Sequence, residues 1–367
     1  MNILTVVYLA VGLVLLVGGA ELLIKGASKL AATLGVSPLI IGLTVVAFGT
    51  SAPELAVSLN ASLNGQADIA LGNVVGSNIC NILLILGTSA VIAPLVVAQQ
   101  LVRLDVPIMI GVSALVVFFG LDGRIDRSDG VILFLGGLAY TVFLLYQSQQ
   151  EKDEGIQAEY AKFGDRSLSI RETSSNVGLF IGGAVLLVTG SQLLVNSAVS
   201  IAEYFGASPL IVGLTVIAFG TSLPELATSV MASIRGERDI AVGNIIGSNI
   251  FNILVVLGLS SAVSTTGVSI SKSAMSFDLP VMLAVAVMCL PICFTGNEVS
   301  RREGLLLLLY YLLYIGYLVS HATDPDSLWA DSISYVVVPL TALMLGLLSW
   351  RTWQTMRQRR SADLRDR

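Results

Sequence analysis

One histidine and three cysteines among 367 residues leave little from which to build a catalytic triad, a zinc site or a disulfide framework. His321 has no metal-binding or nucleophilic partner evident in the sequence, so an enzyme is the least supported class and no cofactor is expected. Cys80, Cys289 and Cys293 all fall in apolar stretches and read as small packing residues. Charge is scarce as well: 12% of residues are Asp, Glu, Lys or Arg, against 54% hydrophobic and a mean hydropathy of +0.84. That composition excludes an ordinary globular domain and makes lipid, not nucleic acid, the expected surrounding.

What is present is a series of apolar runs long enough to cross a hydrocarbon core, roughly 20 residues each. They lie near 3 to 24, 38 to 63, 69 to 95, 105 to 121 and 131 to 147, then near 177 to 198, 208 to 234, 240 to 264, 278 to 295 and 305 to 320, with a further one at 332 to 350. The expected fold is therefore an all-α integral membrane protein of eleven helices. The first run has no basic leader and is longer than a secretory core, so it reads as a span that is kept. With the N-terminus outside, 17 of the Lys and Arg residues fall on the cytoplasmic side and three, Arg124, Arg127 and Lys272, outside. That excess predicts N-out, C-in topology in the cell (inner) membrane.

The chain repeats itself. Residues 37 to 87, beginning SPLIIGLTVVAFGTSAPEL, match 208 to 258, beginning SPLIVGLTVIAFGTSLPEL, without a gap and with 35 of 51 pairs identical. The offset of 171 residues contains five spans, an odd number, which inverts the second copy. Fainter likeness continues outward, in LVGGAELLIKGA against LVTGSQLLVNSA and RLDVP against SFDLP. Four parts follow: a first five-helix half at 1–147, a short polar cytoplasmic linker at 148–175, a second five-helix half at 176–320, and an additional helix with a basic tail at 321–367. Inverted halves are the architecture of alternating-access transporters, with the substrate near the midplane.

Within the hydrophobic interior of these spans, Glu54 and Glu225 are the only ionisable residues expected. An intramembrane carboxylate costs a few kcal/mol on insertion scales, so it marks function. Pro53 and Pro224 cannot donate to the carbonyls of Gly49 and Gly220, which loosens the turn and frees backbone oxygen. Thr50 and Ser51 share the helical face of Glu54, as Thr221 and Ser222 share that of Glu225. The following helices, GNVVGSNICNILLILG and GNIIGSNIFNILVVLG, add Ser77 with Asn81 and Ser248 with Asn252, each pair one turn apart. Carboxylates, hydroxyls, amides and carbonyls are the ligands of hard cations. Asn73, Asn78, Asn244 and Asn249 read first as links between helices, and Gly72, Gly76, Gly243 and Gly247 as close-packing positions. Asp68, Asp239, Asp105 and Asp278 read as helix caps, and Glu21 as the partner of Lys25 one turn on.

The paired motifs GLTVVAFGTSAPEL with GNVVGSNICN, and GLTVIAFGTSLPEL with GNIIGSNIFN, resemble the alpha-repeats of the cation/Ca2+ exchanger superfamily, in its Na+/Ca2+ exchanger branch and its bacterial members. The likeness covers 1 to 320. It implies ten helices in two inverted halves and Na+/Ca2+ antiport. Position by position, it implies Glu54, Glu225, Thr50 and Thr221 around Ca2+. Na+ would use the same glutamates with Ser51, Ser222, Ser77, Ser248 and the backbone at Ala47 and Ala218, with Asn81 and Asn252 at the central polar positions. In the K+-dependent exchangers the position of Asn252 is Asp; here it is neutral, which departs from the K+-dependent pattern. The eleventh helix and basic tail depart from the ten-helix pattern, and no protein partner is implied. Two carboxylates neutralise one Ca2+, so the loaded site moves without net charge while the empty one resists moving. An H+-coupled or other divalent cation antiporter uses the same glutamates and remains an alternative; a passive channel gives no reason for inverted duplication.

Overall fold

A run of apolar residues in a hydrocarbon layer closes its backbone hydrogen bonds within one segment only as a helix, and helix is nearly all that the described residues form. The computed structural model describes residues 3–34, 36–150, 170–204, 218–294 and 297–323. In chain order these form α1 (Ile3–Leu34), α2 (Pro38–Thr50), α3 (Ala52–Leu63), α4 (Ile69–Ile92), α5 (Leu101–Asp122), α6 (Arg127–Gln150), α7 (Ile170–Tyr204), α8 (Leu223–Arg235), α9 (Arg238–Val263), α10 (Ala274–Cys293) and α11 (Arg301–Thr323). Among the described residues eight helices are long and apolar enough to cross a membrane, and α2 with α3, bent by 48° across Ser51, make a ninth. The expected span at 208 to 234 is described only from Ala218, and the expected eleventh helix at 332 to 350 lies outside the described residues, as does most of the linker. Helix α1 runs ten residues beyond its expected end because Ala27, Leu30 and Ala31 continue its buried face.

The inversion is visible in glycine contacts. Gly12 and Gly19 of α1 correspond to Gly183 and Gly190 of α7 in the repeat. In space they cross over: a Cβ added at Gly12 would sit 2.9 Å from the Gly190 carbonyl oxygen, and one at Gly19 would sit 2.8 Å from that of Gly183. Corresponding helices therefore run antiparallel, at a separation only small residues allow. Gly87 of α4 meets Gly304 of α11, and Gly258 of α9 meets Gly130 of α6, in matching fashion. Each half thus lays its polar helix against the last helix of the other. Two short antiparallel ladders also pair one half with the other: β1 (Leu95–Val96) with β4 (Glu298–Val299), and β2 (Arg124–Ile125) with β3 (Val268–Ser269).

The structure corrects several local expectations. Asp105 and Asp278 do not cap. Each closes a π-helical turn, Leu101–Asp105 and Ala274–Asp278, and accepts a tyrosine hydroxyl, from Tyr140 at 2.8 Å and Tyr314 at 3.4 Å. Asp105 has no exposed surface, so Glu54 and Glu225 are not alone among carboxylates buried in the spans. Asp239 lies in the first turn of α9, one residue past Arg238, with Glu237 at the cap position. Glu21 meets Arg235 at the end of α8, a longer reach than Lys25 but one that ties the two halves together. Gly243 and Gly247 pack as expected, within 2.8 Å and 2.6 Å of the Leu39 and Leu43 carbonyl oxygens of α2 for an added Cβ. The matching Leu210 and Leu214 lie outside the described residues.

Candidate functional site

The site begins with two prolines. Pro53 and Pro224 open α3 and α8, and the residue two before each, Ser51 at φ −83°, ψ 9° and Ser222 at φ −85°, ψ 5°, leaves helical geometry. Proline removes the N–H that would have bonded four residues back. At Gly220 the released carbonyl is taken by Ser191 Oγ of α7 at 2.8 Å. Breaking the helix here turns Ser51 and Ser222 into the centre of the protein, where neither has exposed surface.

Each broken turn reaches the carboxylate of the other half. Ser51 Oγ donates to Glu225 Oε1 at 2.8 Å, and Ser222 Oγ donates to Glu54 Oε1 at 3.4 Å. Thr50 Oγ1 lies 3.0 Å from Asn244 Oδ1, and Thr221 Oγ1 donates to Asn73 Oδ1 at 3.3 Å. Those asparagines are fixed from the opposite side: Asn244 donates to Ser229 Oγ, and Asn73 to Ser58 Oγ, both at 2.9 Å. Asn73 also donates to the backbone oxygen of Glu54 at 3.2 Å. Every one of these bonds between halves has a counterpart at the 171-residue offset, so Glu54 and Glu225 are related by a two-fold in space as well as in sequence.

A second tier lies where α4 and α9 face each other. Asn81 and Asn252 begin π-helical turns, Asn81–Leu86 and Asn252–Leu257, a geometry that often marks functional positions. Asn81 Nδ2 donates to Asn249 Oδ1 at 3.0 Å and Asn252 Nδ2 to Asn78 Oδ1 at 3.2 Å. Asn73, Asn78, Asn244 and Asn249 are thus the links between helices. Among the buried side-chain oxygens without a hydrogen-bond partner in the described residues are six of the expected ligands: Glu54 Oε2, Glu225 Oε2, Ser77 Oγ, Ser248 Oγ, Asn81 Oδ1 and Asn252 Oδ1. They form three two-fold pairs.

Of the remaining expected ligands, Ala47 offers a carbonyl that already accepts the Ser51 N–H at 3.0 Å, with Thr50 Oγ1 at 3.3 Å. Ala218 begins the short helical turn Ala218–Gly220. Thr50 Oγ1 is shared between the Val46 and Ala47 carbonyls of its own helix and Asn244 Oδ1 of the other half. Sequence reasoning missed Ser58 and Ser229, which hold Asn73 and Asn244; their signal was present, one turn after each glutamate in both copies. It also missed Thr228, whose buried Oγ1 has no partner among the described residues and whose counterpart is Val57. Chemically, two carboxylates among neutral hydroxyls and amides form a hard-oxygen set able to strip water from Na+ or Ca2+. Among the described residues there is no group of three or more His, Cys, Asp or Glu that would hold a metal permanently. A donor set of mostly neutral oxygens suits a cation that must also leave.

Comparison with known proteins agrees with this chemistry. The family model described as sodium/calcium exchanger protein matches residues 4–148 and 175–320. The inner membrane protein YrbG of Escherichia coli is 40% identical over 319 residues, 84% of this chain and 95% of YrbG. The sodium/calcium exchanger MaX1 of Methanosarcina acetivorans is 33% identical over 338 residues, 84% of this chain and 96% of MaX1. Among solved structures, the sodium-calcium exchanger NCX_Mj soaked with 2.5 mM Na+ and 0.1 mM Ca2+ superposes with a TM-score of 0.72 at 30% identity, covering 86% of this chain and 99% of that one.

Proposed function

The chain belongs to the sodium/calcium exchanger family, a family of multi-pass membrane antiporters that are not enzymes, and we propose that it exchanges Na+ for Ca2+ by alternating access through the Glu54–Glu225 site. The observation that carries this reading is that the free oxygens of Glu54 and Glu225, and those of Ser77, Ser248, Asn81 and Asn252, three pairs at the repeat offset, are buried without a hydrogen-bond partner among the described residues. In a medium without water each unsatisfied polar atom costs on the order of 1–3 kcal/mol, and a hard cation meets several of them at once. MaX1 and NCX_Mj, both named for Na+ and Ca2+, support that choice of ions.

In this mechanism Glu54 and Glu225 supply two negative charges that match one Ca2+. Ser51 and Ser222 hold one oxygen of each carboxylate, leaving the other for the ion. Thr50, Thr221, Ser77, Ser248, Asn81, Asn252 and the backbone at Ala47 and Ala218 complete the ligand sets of Ca2+ and Na+. An ion-free site leaves two buried like charges, which resists the conformational switch and couples export of one ion to import of the other. The halves are 1–147 and 176–320, joined by the linker 148–175 and followed by the segment 321–367, in the cell (inner) membrane with the N-terminus outside. The basic-residue distribution supports this orientation.

The test is 45Ca uptake into proteoliposomes of the purified chain with Na+, K+ and H+ gradients imposed one at a time. An outward Na+ gradient alone should drive uptake. Uptake driven equally by a proton gradient with Na+ absent would replace Na+ as the coupling ion, and uptake indifferent to every gradient would make the protein a channel.

A further inference from the structure

Four asparagines meet at the centre of the protein, and an amide can serve a cation only if its oxygen, not its nitrogen, is left over. What decides the orientation is found one helix further out. Asn249 Nδ2 lies 3.4 Å from Met109 Sδ on α5, and Asn78 Nδ2 lies 3.9 Å from Met282 Sδ on α10. Both methionines are buried, and they occupy the same place in the repeat: Asp105, Pro107 and Met109 match Asp278, Pro280 and Met282. A thioether sulfur accepts a hydrogen bond and never donates one. The NH2 of Asn249 and of Asn78 must therefore face the sulfur, which turns each Oδ1 inward.

The consequence passes one residue further. Asn249 Oδ1 receives Asn81 Nδ2 and Asn78 Oδ1 receives Asn252 Nδ2, at 3.0 Å and 3.2 Å. With their nitrogens so occupied, Asn81 and Asn252 retain Oδ1 as the atom without a partner. Were Asn249 reversed, its NH2 would confront that of Asn81; Asn81 would reverse in turn and present hydrogens where a cation needs an oxygen. The second hydrogen of Asn78 goes to the Asn249 backbone oxygen at 3.2 Å, an acceptor that holds the amide in the orientation the sulfur favours. On the Met109 side the sulfur is the one acceptor of Asn249 Nδ2 among the described residues, so the larger effect is expected there. Resting on the cation site proposed above, we infer that Met109 and Met282 are positioning residues whose sulfurs set the amide orientation of Asn249 and Asn78 and so keep Asn81 and Asn252 as oxygen ligands.

The experiment pits leucine against glutamine. Leucine keeps the volume and apolarity of methionine, and such swaps usually cost little stability; it offers no acceptor. Glutamine brings a carbonyl acceptor of similar reach but a buried amide. Met109→Leu with Met282→Leu, and Met109→Gln with Met282→Gln, are compared with the unaltered protein in detergent, reading the NaCl and CaCl2 dependence of thermal unfolding at constant ionic strength in choline chloride. The leucine pair should raise the half-maximal NaCl and CaCl2 concentrations roughly tenfold, the size of one lost hydrogen bond, and the glutamine pair should return them to within about threefold. A leucine pair that binds as the unaltered protein does, with a glutamine pair that is worse, would make the methionines packing residues and overturn the assignment. Should either double variant not fold, the single substitutions give the same comparison in one half. Na+-driven 45Ca uptake is measured in parallel. If the unaltered protein lacks that uptake while the leucine effect on binding stands, the proposed exchange fails and the methionine role does not; if no Na+ or Ca2+ stabilises the unaltered protein, both fail.

Discussion

Ser51 and Ser222 each hold the glutamate of the opposite half, but Ser191, which takes the released carbonyl of Gly220, has Ala20 as its counterpart and no hydroxyl there to do the same. Glu21 pairs with Arg235, whereas the matching positions are Gln192 and Asn64, both neutral. Phe251 stacks edge-on against Phe48 with ring centroids 5.4 Å apart, and the residue matching Phe251 is Cys80. The two halves are thus equivalent within hydrogen-bond reach of the carboxylates and different one helix away. In an inverted-repeat transporter the halves exchange roles when the site turns from one side to the other. An ion site must look the same in both states, so the centre keeps its symmetry. The relative free energy of the states is set by contacts that do not map onto each other, and these lie at the rim.

The hardest test of central equivalence is removal of one charge. Glu54→Gln and Glu225→Gln should each abolish Ca2+-dependent stabilisation and 45Ca flux, a loss of 100-fold or more, because breaking a buried charge arrangement costs about 3–5 kcal/mol. A Glu54→Gln protein that retains Na+-driven uptake while Glu225→Gln does not would break the comparison at its centre.

A smaller effect sharpens it. Hydrogen bonds to ionised groups contribute about 1.5–3 kcal/mol, and strength falls with distance. Ser51→Ala removes a bond of 2.8 Å and Ser222→Ala one of 3.4 Å. The half-maximal Ca2+ concentration should rise roughly tenfold in the first and about threefold in the second. Identical shifts would mean that the protein equalises the two bonds in the loaded state.

Much of this was legible from residues alone, and the limits have physical causes. The duplication and its odd number of spans predict inversion, and the glycine pairs of α1 and α7 display it. Apolar run length located the helix interiors but not the end of α1, because residues 25 to 34 alternate small and polar side chains over a face that is still buried. Proline placement located both breaks in the helices. It could not say that Ser191 would take up the carbonyl freed at Gly220, since that contact joins residues 29 apart on different helices. The reading of Asp105 and Asp278 as caps failed because the proline two residues on does not start the helix; a π-helical turn already precedes it and aims each carboxylate at a tyrosine. The roles of Met109 and Met282 were hidden for a related reason: methionine in a membrane helix looks like packing until an amide nitrogen is found against its sulfur.

The smallest effect tests the rim. Glu21 and Arg235 are both partly exposed, and such a pair contributes at most about 1 kcal/mol. Spread over two conformations, that changes their ratio by up to about fivefold and the apparent ion affinity on each side accordingly. Arg235→Asn with Glu21→Gln removes the pair. Gln192→Glu with Asn64→Arg builds its mirror image in the other half. The quantity to measure is the ratio of half-saturating Na+ on the two faces of oriented vesicles. Removing the native pair should move that ratio one way, and adding the mirrored pair to the unaltered protein should move it the same way, since each relieves the same imbalance; carrying out both should overshoot, with roughly the sum of the two shifts. If neither changes the ratio, the ion pair is a bystander, and the difference between the states has to be sought in uncharged contacts such as Ser191 with Gly220 and Phe48 with Phe251.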